Sequence, residues 1–582
     1  MRFVIAIVLF VVAFVSIGYG LAQRTVLAGP SSVTENVSVG GDAPVTVIDS
    51  RALHAYPGAQ TITVSGSKTV FIAAGRSLDV KAWVGKADNA RVGWSAKKQA
   101  LTVTQDPGTE KTVPSPAGSD LWVQQFSGTN ELTRKIIAPD DVSVLIASDG
   151  KKAAPGRISI SWPVDNSAPL SGPLIIGGIA VLLLGLIAFL WALVHARRRR
   201  GPRRKTPKLP RAPKPPQLKQ GRQRREQPRD QKELVAPDGR RARRRGFVAI
   251  PVIVAGGLLL SACSTGTAVP SASPTATVPV TEQQQTAVTE PQLEHILATT
   301  EQVVADADAK LDPAILATRM DGPALQLRQA NYAIRKVDNT IAAVEPLPTG
   351  KVTIALPQQS DTWPRSVFAV IQDAKNAQAA PVAVMLVQKT PRENYKIEYA
   401  TTLELDIPAV APPEVGAARL PVDNKLGMLE PSELATSYGD ILINGDASKF
   451  AKDFAADGDK LRTAIGSAYK ASRKASLPST AAIAYTNVAG PGPVIAFGSN
   501  DSGQIVAVDD NDIETITPAE QGAAINPSGA VKALSGKSSS GKGITATYGV
   551  QLLFYVPPVS ATGKKIQLLG FAQGLIAASE VP

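Results

Sequence analysis

Apolar residues gather in three uncharged runs, and between the runs they alternate or recur every three to four positions. The runs are Phe3–Ala22, Pro173–Val194 and Phe247–Ala262. A helix of twenty residues spans roughly 30 Å, the thickness of the hydrocarbon core of a bilayer. The first run therefore reads as a transmembrane signal anchor over residues 1–24. The alternative is a cleaved signal, because Gly20 and Ala22 occupy the small-residue positions before Gln23. The second run predicts a transmembrane helix over 173–195. Arg197, Arg198, Arg199 and Arg200 follow it at once, the mark of a cytoplasmic end.

The third run is shorter and carries Pro251. Arg243, Arg244 and Arg245 precede it, and Leu260-Ser261-Ala262-Cys263 ends it. Charged, then apolar, then small is the order of a secretory signal. The ending resembles a bacterial lipobox, which makes Cys263 a lipidation candidate. The other reading is a plain third span over 247–263. Either way the chain crosses three times. Residues 25–170 and 264–582 are expected outside the plasma membrane, and 196–246 in the cytoplasm.

Between the first two runs, short alternating segments separated by Gly, Pro, Asp, Asn and Ser predict strands. They are Val45–Ile48, Thr61–Val64, Thr69–Ala73, Leu78–Val84, Arg91–Ser95, Leu101–Thr104, Trp122–Phe126, Val142–Ala147 and Arg157–Trp162. Many short strands with no long helix predict an all-β sandwich over 28–168. Trp83, Trp94, Trp122 and Trp162 are expected in its core; exposed on one face, they would instead form a platform for glycan or peptide.

After a Ser/Thr/Pro tether over 264–287, helices come first and strands after, twice. Helical spacing covers 291–308, and Asp312-Pro313 and Pro323–Arg335 open further helices. Strands are expected at Lys351–Leu356, Ser366–Gln372, Val382–Lys389 and Tyr395–Glu404. The order then repeats, with helices at Pro431–Ile443, Asp446–Ala455 and Asp459–Ala475. Strands follow at Ala482–Val488, Val494–Phe497, Gln504–Val508, Asp512–Thr517, Ile544–Val556 and Lys565–Ala577. Asp312 aligns with Asp446, Asp321-Gly322 with Asp457-Gly458, and Tyr332 with Tyr469, a weak internal repeat. The element order resembles two NTF2-like or cystatin-like α+β modules in tandem, 288–420 and 421–582.

Charge changes the picture in one place. The chain holds 62 basic and 49 acidic residues, yet Arg197 to Arg245 alone holds 21 basic and four acidic ones, a net of +17 that leaves the rest at −4. That stretch has eight prolines and almost no large apolar residue, so it is expected to be disordered. Its roles would be topogenic, or contact with anionic lipid at about 1 kcal/mol per basic residue. It lacks aromatics for base stacking, which argues against specific nucleic-acid binding.

Candidate chemistry is sparse. One Cys excludes an intrachain disulfide, and three His far apart (His54, His195, His295) argue against a metal site. Asp509-Asp510-Asn511-Asp512 contains Asp-x-Asp, which holds a metal in some glycosyltransferases, but reads as an acidic turn between strands. Ser535-Gly536-Lys537-Ser538 lacks the first glycine of a phosphate loop, since Val531 stands there. No catalytic residue, cofactor or metal ligand is assigned.

The opening Met1-Arg2-Phe3-Val4-Ile5-Ala6-Ile7-Val8, then Gln23-Arg24-Thr25, and Trp363-Pro364-Arg365-Ser366 are similar to uncharacterised actinobacterial multi-domain envelope membrane proteins. Some of these carry a glycosyl transferase label. Taken with the residues, the expectation is a non-catalytic envelope protein that presents two outer binding or assembly domains to glycan, lipid or protein. The alternatives are a glycan-modifying enzyme and a lipid- or peptide-binding lipoprotein.

Overall fold

The computed structural model describes residues 1–164, 166, 169–198 and 285–582. Arg199, Arg200, Arg243, Arg244, Arg245 and Cys263 lie outside the described residues, as do most of the basic loop, the third apolar run and nearly all of the tether. The protein is β-rich and multi-domain. The chain forms two bodies. One contains the helices Arg2–Arg24 and Ser171–Arg198, and the other joins the segments on either side of residues 169–281.

Both helices are long and apolar enough to cross a membrane, by length and composition. They run antiparallel: Gly20 faces Ser171 and Ile175, Gly178 faces Ala13 and Ile17, and Gly185 faces Leu9 and Phe10. The buried positions are small and seven residues apart. They are Ala6, Ala13 and Gly20 on one helix, and Ser171, Gly178, Gly185 and Ala192 on the other. Small residues let two backbones approach, and a seven-residue period keeps the seam facing its partner along the length. Phe189 adds edge contacts with Phe3 at 6.0 Å and Phe10 at 6.3 Å. Arg197 and Arg198 form the last turn of the second helix.

The larger body begins with eight strands, β1 (Ser32–Ser38), β2 (Val45–Ile48), β3 (Gln60–Arg76), β4 (Asn89–Ser95), β5 (Ala100–Asp106), β6 (Gln124–Ile136), β7 (Val142–Ala147) and β8 (Arg157–Pro163). They form one sheet in the order β1-β8-β3-β7-β2-β4-β5, with β6 on the other edge of β3. The two short strands expected at 61–64 and 69–73 are one long strand, β3. Its first half pairs with β8 and its second with β7. Alternation along β3 sends Ile62, Val64, Val70 and Ile72 into a core around Trp162, and Phe71 and Ala73 into a second core around Trp83 and Trp122.

Leu78–Val84, expected as a strand, is part of a helix, Ser77–Val84. Leu78, Val80, Ala82 and Val84 alternate, while Val80, Trp83 and Val84 form a helical stripe, and burial of that stripe against the second core decides between them. Trp83, Trp122 and Trp162 are buried. Trp94 is half-buried, with its ring 5.6 Å from that of Trp162. They pack cores and form no exposed platform.

Ten more strands follow, β9 (Gly350–Pro357), β10 (Arg365–Asp373), β11 (Val382–Gln388), β12 (Lys396–Leu403), β13 (Arg419–Leu420), β14 (Ala481–Ala489), β15 (Ile495–Gly498), β16 (Gln504–Pro518), β17 (Ile544–Val556) and β18 (Gln567–Glu580). Strands β9 to β12 form one meander and β15 to β18 another. The two join through β12 and β18, which pair only at Thr402 with Phe571 and Leu403 with Gly570. One face of each meander meets the other in a shared cluster that includes Phe368, Met385, Tyr399, Ile505, Leu553 and Tyr555. The opposite faces are covered by helices. Glu290–Lys310 and Gly322–Val337 cover the first, and Leu434–Asn444, Lys460–Ile465 and Ser467–Ala475 lie with the second.

Three expectations are corrected here. Asp446–Ala455 is one 3-10 turn followed by irregular chain, not a helix. The strands expected at 504–508 and 512–517 are one strand, β16, so Asp509 to Asp512 are not a turn. Tyr332 is buried and Tyr469 exposed, so that matched pair occupies unlike places.

The N-terminal sheet and the C-terminal part are joined by buried charge. Arg76, at the end of β3, and Arg365, at the start of β10, both hold Asp79, each at 2.7 Å. The Arg365 guanidinium stacks 3.7 Å over the Trp363 ring, and Trp363 packs against the Trp83 cluster. Nearby, Asp120 accepts from Arg319 at 2.6 Å and from the Tyr395 amide at 2.8 Å. Arg392 donates to the carbonyls of Trp83 and Val84, both at 2.8 Å, as a cap on that helix.

Removing one partner of a buried pair leaves an uncompensated charge, at a cost of about 3–5 kcal/mol. Asp79→Ala is therefore expected to lower the stability of the full chain by about 3–5 kcal/mol, read by thermal or denaturant unfolding. A loss below about 1 kcal/mol would show that the pair does not hold the body together. In the helix pair, a Cβ on Gly178 would lie 2.6 Å from Ile17, whereas one on Gly177 meets nothing within 4 Å. Gly178→Leu should therefore abolish oxidative crosslinking between cysteines placed at Phe3 and Phe189 in a Cys263→Ala background. Gly177→Leu should leave it intact, with the joined peptides read by mass spectrometry.

Candidate functional site

Two clefts open on the helix-covered side of the ten-stranded sheet. The larger lies under the helix Gly322–Val337. Asp321 caps that helix by accepting from the Gly322 amide, and Pro323 follows in its first turn. Arg328, on its flank, donates to Asp308 and to the Glu345 carbonyl, both at 2.6 Å. Tyr332 donates to the same carboxylate at 2.5 Å. These bonds tie the helix to Glu290–Lys310 on one side and to the 341–347 segment on the other.

Beneath it the sheet opens, because β12 and β18 pair at only two positions. The cavity that results is about 570 Å³, lined mostly by Ala, Leu, Ile, Val and Phe. Met320, Leu327 and Ile334 line the helix side, Ala400, Phe571 and Ala572 the sheet side, and Ala530 of the short helix Gly529–Ser535 the edge. Gly574 keeps the floor low: a Cβ there would already touch Leu327 at 3.4 Å.

The second cleft, of about 340 Å³, lies beside the helices Lys460–Ile465 and Ser467–Ala475. It is polar. Tyr469 and Arg473 come from the second of these helices, Tyr485 from β14, Asp512 and Glu514 from β16, and Tyr548 from β17. Alternation along β16 puts Asp510, Asp512 and Glu514 on one face, and Asp509 on the other with Tyr399 and Gly492. Lys470, itself buried, donates to Asp512 at 3.0 Å and to the Ile465 carbonyl at 2.6 Å. Arg473 pairs with Glu514 at 3.2 Å. Each carboxylate of the cleft thus has its own cation.

Asp510 lies deeper and is bonded by Asn487. Asn487 gains its place because residue 439 is glycine, since any Cβ there would collide with the amide. Burial pushes the Asp510 carboxyl up to about 8, against the pull of the Asn487 bond. Burial also raises Asp512, against Lys470, and raises the Tyr485 hydroxyl, helped by Glu514.

The clefts meet: Gln573, Gly574 and Leu575 of β18 line both. Neither was foreseen from the sequence. Tyr469, Tyr485 and Tyr548 are far apart in the chain, and only strand pairing brings them together. Ser535, in the loop compared with a phosphate loop, ends the helix Gly529–Ser535, and Gly536 caps it in the left-handed region at φ 64°. Among the described residues, no group of three or more His, Cys, Asp or Glu side chains is placed to hold a metal ion.

Asp510 has a sign-definite effect on stability. Its pKa rises from 3.8 to about 8 on folding. The stabilisation it contributes is full below the unfolded value, declines as pH rises, and is gone above about 8. Asn at this position imitates the protonated form. Asp510→Asn should therefore raise the melting temperature at pH 9 and flatten its fall between pH 5 and 9. Parallel pH profiles for the two proteins would remove Asp510 as the cause.

No curated protein and no solved structure matches the chain. One family does match, over residues 284–580, just over half of the chain and nearly the whole C-terminal part that holds both clefts. The chain belongs to that family, described as Domain of unknown function (DUF8094).

Proposed function

We propose that this chain is a non-catalytic, membrane-anchored binding protein of the bacterial cell envelope. Its outer body would hold an apolar ligand, an acyl chain or apolar peptide, under the helix Gly322–Val337. The observation that carries this reading is the apolar cavity of about 570 Å³. Its size falls within the range of small-molecule sites, and most of its lining residues are apolar.

The fold reading that accompanies it is a β-sandwich joined to two NTF2-like modules in tandem. The two helix-covered meanders support the second part, since each follows its own helices in the chain.

The proposed location is the outer face of the plasma membrane, with three crossings. The larger body takes its residues from both sides of the helix Ser171–Arg198. If that helix spans, the chain must return before residue 285, because one folded body cannot lie on both sides of a bilayer. Phe247–Ala262 is the longest uncharged apolar run between them. This supports a cytoplasmic 196–246 loop, with anionic-lipid contact by its arginines, and residues 25–170 and 264–582 outside. It is compatible with either reading of Cys263, lipidated or not.

A glycan-modifying enzyme is the second reading, favoured by the Asp510 carboxyl near neutrality. Against it, Asp510 is bonded by Asn487 and does not line the cleft, while Lys470 and Arg473 hold Asp512 and Glu514. Tyr485 stands opposite Glu514 in the strand pairing, but Glu514 is held by Arg473.

The test is binding of palmitate to the full chain in lipid nanodiscs, wild type beside Ala572→Phe. Ala572 lines the cavity and is half-buried. Saturable binding that weakens at least tenfold in the variant, with the melting temperature unchanged, is the expected result. Equal binding by both proteins, or none by either, would overturn the proposal.

A further inference from the structure

The polar cleft beside the apolar cavity contains an unmatched donor and an unmatched acceptor. Asp512 is 7% exposed, and its Oδ2 is held by Lys470, while its Oδ1 has no partner within the protein. The Tyr485 hydroxyl is also buried and without a partner. Both residues line the same cleft. A buried polar atom left unpaired costs about 1–3 kcal/mol, so such atoms mark either strain or a site for something else.

The pair has a particular complement. A neutral tyrosine hydroxyl donates one hydrogen, and a carboxylate oxygen only accepts. One hydroxyl group on a ligand does both jobs, accepting from Tyr485 and donating to Asp512. An ammonium can donate to the Tyr485 oxygen and to Asp512 but leaves the phenol hydrogen without an acceptor, and a carboxylate or ionised phosphate oxygen has no hydrogen for Asp512. Net charge points the same way. Lys470 offsets Asp512 and Arg473 offsets Glu514, so the cleft neither attracts nor repels by charge. The Tyr469, Tyr485 and Tyr548 rings add surfaces with an apolar body and a polar tip.

The cleft is not isolated. Gln573, Gly574 and Leu575 line it and the apolar cavity alike, and Gln573 is exposed at the junction. We infer that the two clefts form one site for an amphiphile with an uncharged, hydroxyl-rich head and an apolar chain, the chemistry of a neutral glycolipid. The head occupies the cleft of Tyr485 and Asp512, and the chain lies under the helix Gly322–Val337. This deepens the proposed function and rests on it for the apolar half.

The test uses the full chain in nanodiscs and three probes below micelle-forming concentration: octyl β-glucoside, n-octane and glucose. Wild type and Tyr485→Phe are compared by calorimetry, so that partition into the bilayer cancels. Octyl glucoside and octane should both bind wild type saturably, and glucose far more weakly than either. Tyr485→Phe should weaken octyl glucoside about five- to tenfold and leave octane, which has no polar group, unchanged. The same variant should melt no lower than wild type, because it removes a buried hydroxyl that has no partner.

If octane binds and octyl glucoside does not, the headgroup inference fails while the apolar cavity reading stands. Equal octyl glucoside binding by the two proteins means a cleft that holds water only, and also overturns it. If glucose binds as tightly as octyl glucoside, the site takes free sugar and the amphiphile is wrong. If no probe binds saturably, both readings fall.

Discussion

Asp79 between Arg76 and Arg365 is the constraint on which the larger body depends. The carboxylate is buried, and each of its oxygens accepts from a different guanidinium. One arginine belongs to the N-terminal sheet and the other to the C-terminal meander. Either charge alone in that interior would be costly, so the pair is satisfied only when the two parts meet in one register. Trp363 under Arg365, and Arg392 on the end of the helix Ser77–Val84, extend the same seam. Cleavage at Cys263 would fall between the two halves of this seam, since Arg76 and Asp79 precede it and Arg365 and Arg392 follow it.

Two of the tryptophans lie at the same seam. Trp83 and Trp122 are buried among residues of their own sheet and of the helix Ser77–Val84, and Trp363 of the C-terminal part packs against the same cluster. The two clefts described above lie elsewhere, on the helix-covered side of the ten-stranded sheet. There the geometry follows from one weak junction. Two meanders that share a core on one face can pair only briefly at β12 and β18, and the helix Gly322–Val337 bridges the gap without filling it.

Local pattern was enough for many of the elements. The strands at 45–48 and 142–147 and the helix over 290–310 were legible within a residue or two, because burial on one face imposes a period that the residues display. Pro313 after Asp312, and Pro323, marked helix starts to within a residue for the same local reason. Errors fell where two periods fit equally well, as at 78–84, or where polar residues sit inside a strand. Asp509 to Asp512 read as a turn because four consecutive polar residues rarely occupy a strand. They do so here because Lys470, Asn487, Tyr399 and Gly492 wait on the two faces.

By itself the sequence determined the apolar helices, the isolation of positive charge in one stretch, the lone cysteine and the order of helices and strands. These are properties of neighbours along the chain, set by composition and period. The tertiary structure alone decided that Asp79 and Arg365 meet, that the meanders fold face to face, and that Tyr485 and Asp512 share a cleft continuous with an apolar cavity. Each of these joins residues far apart in sequence, and a pairing of that kind leaves no local periodicity to read. It exists only once buried charge and apolar area on distant segments find their complements.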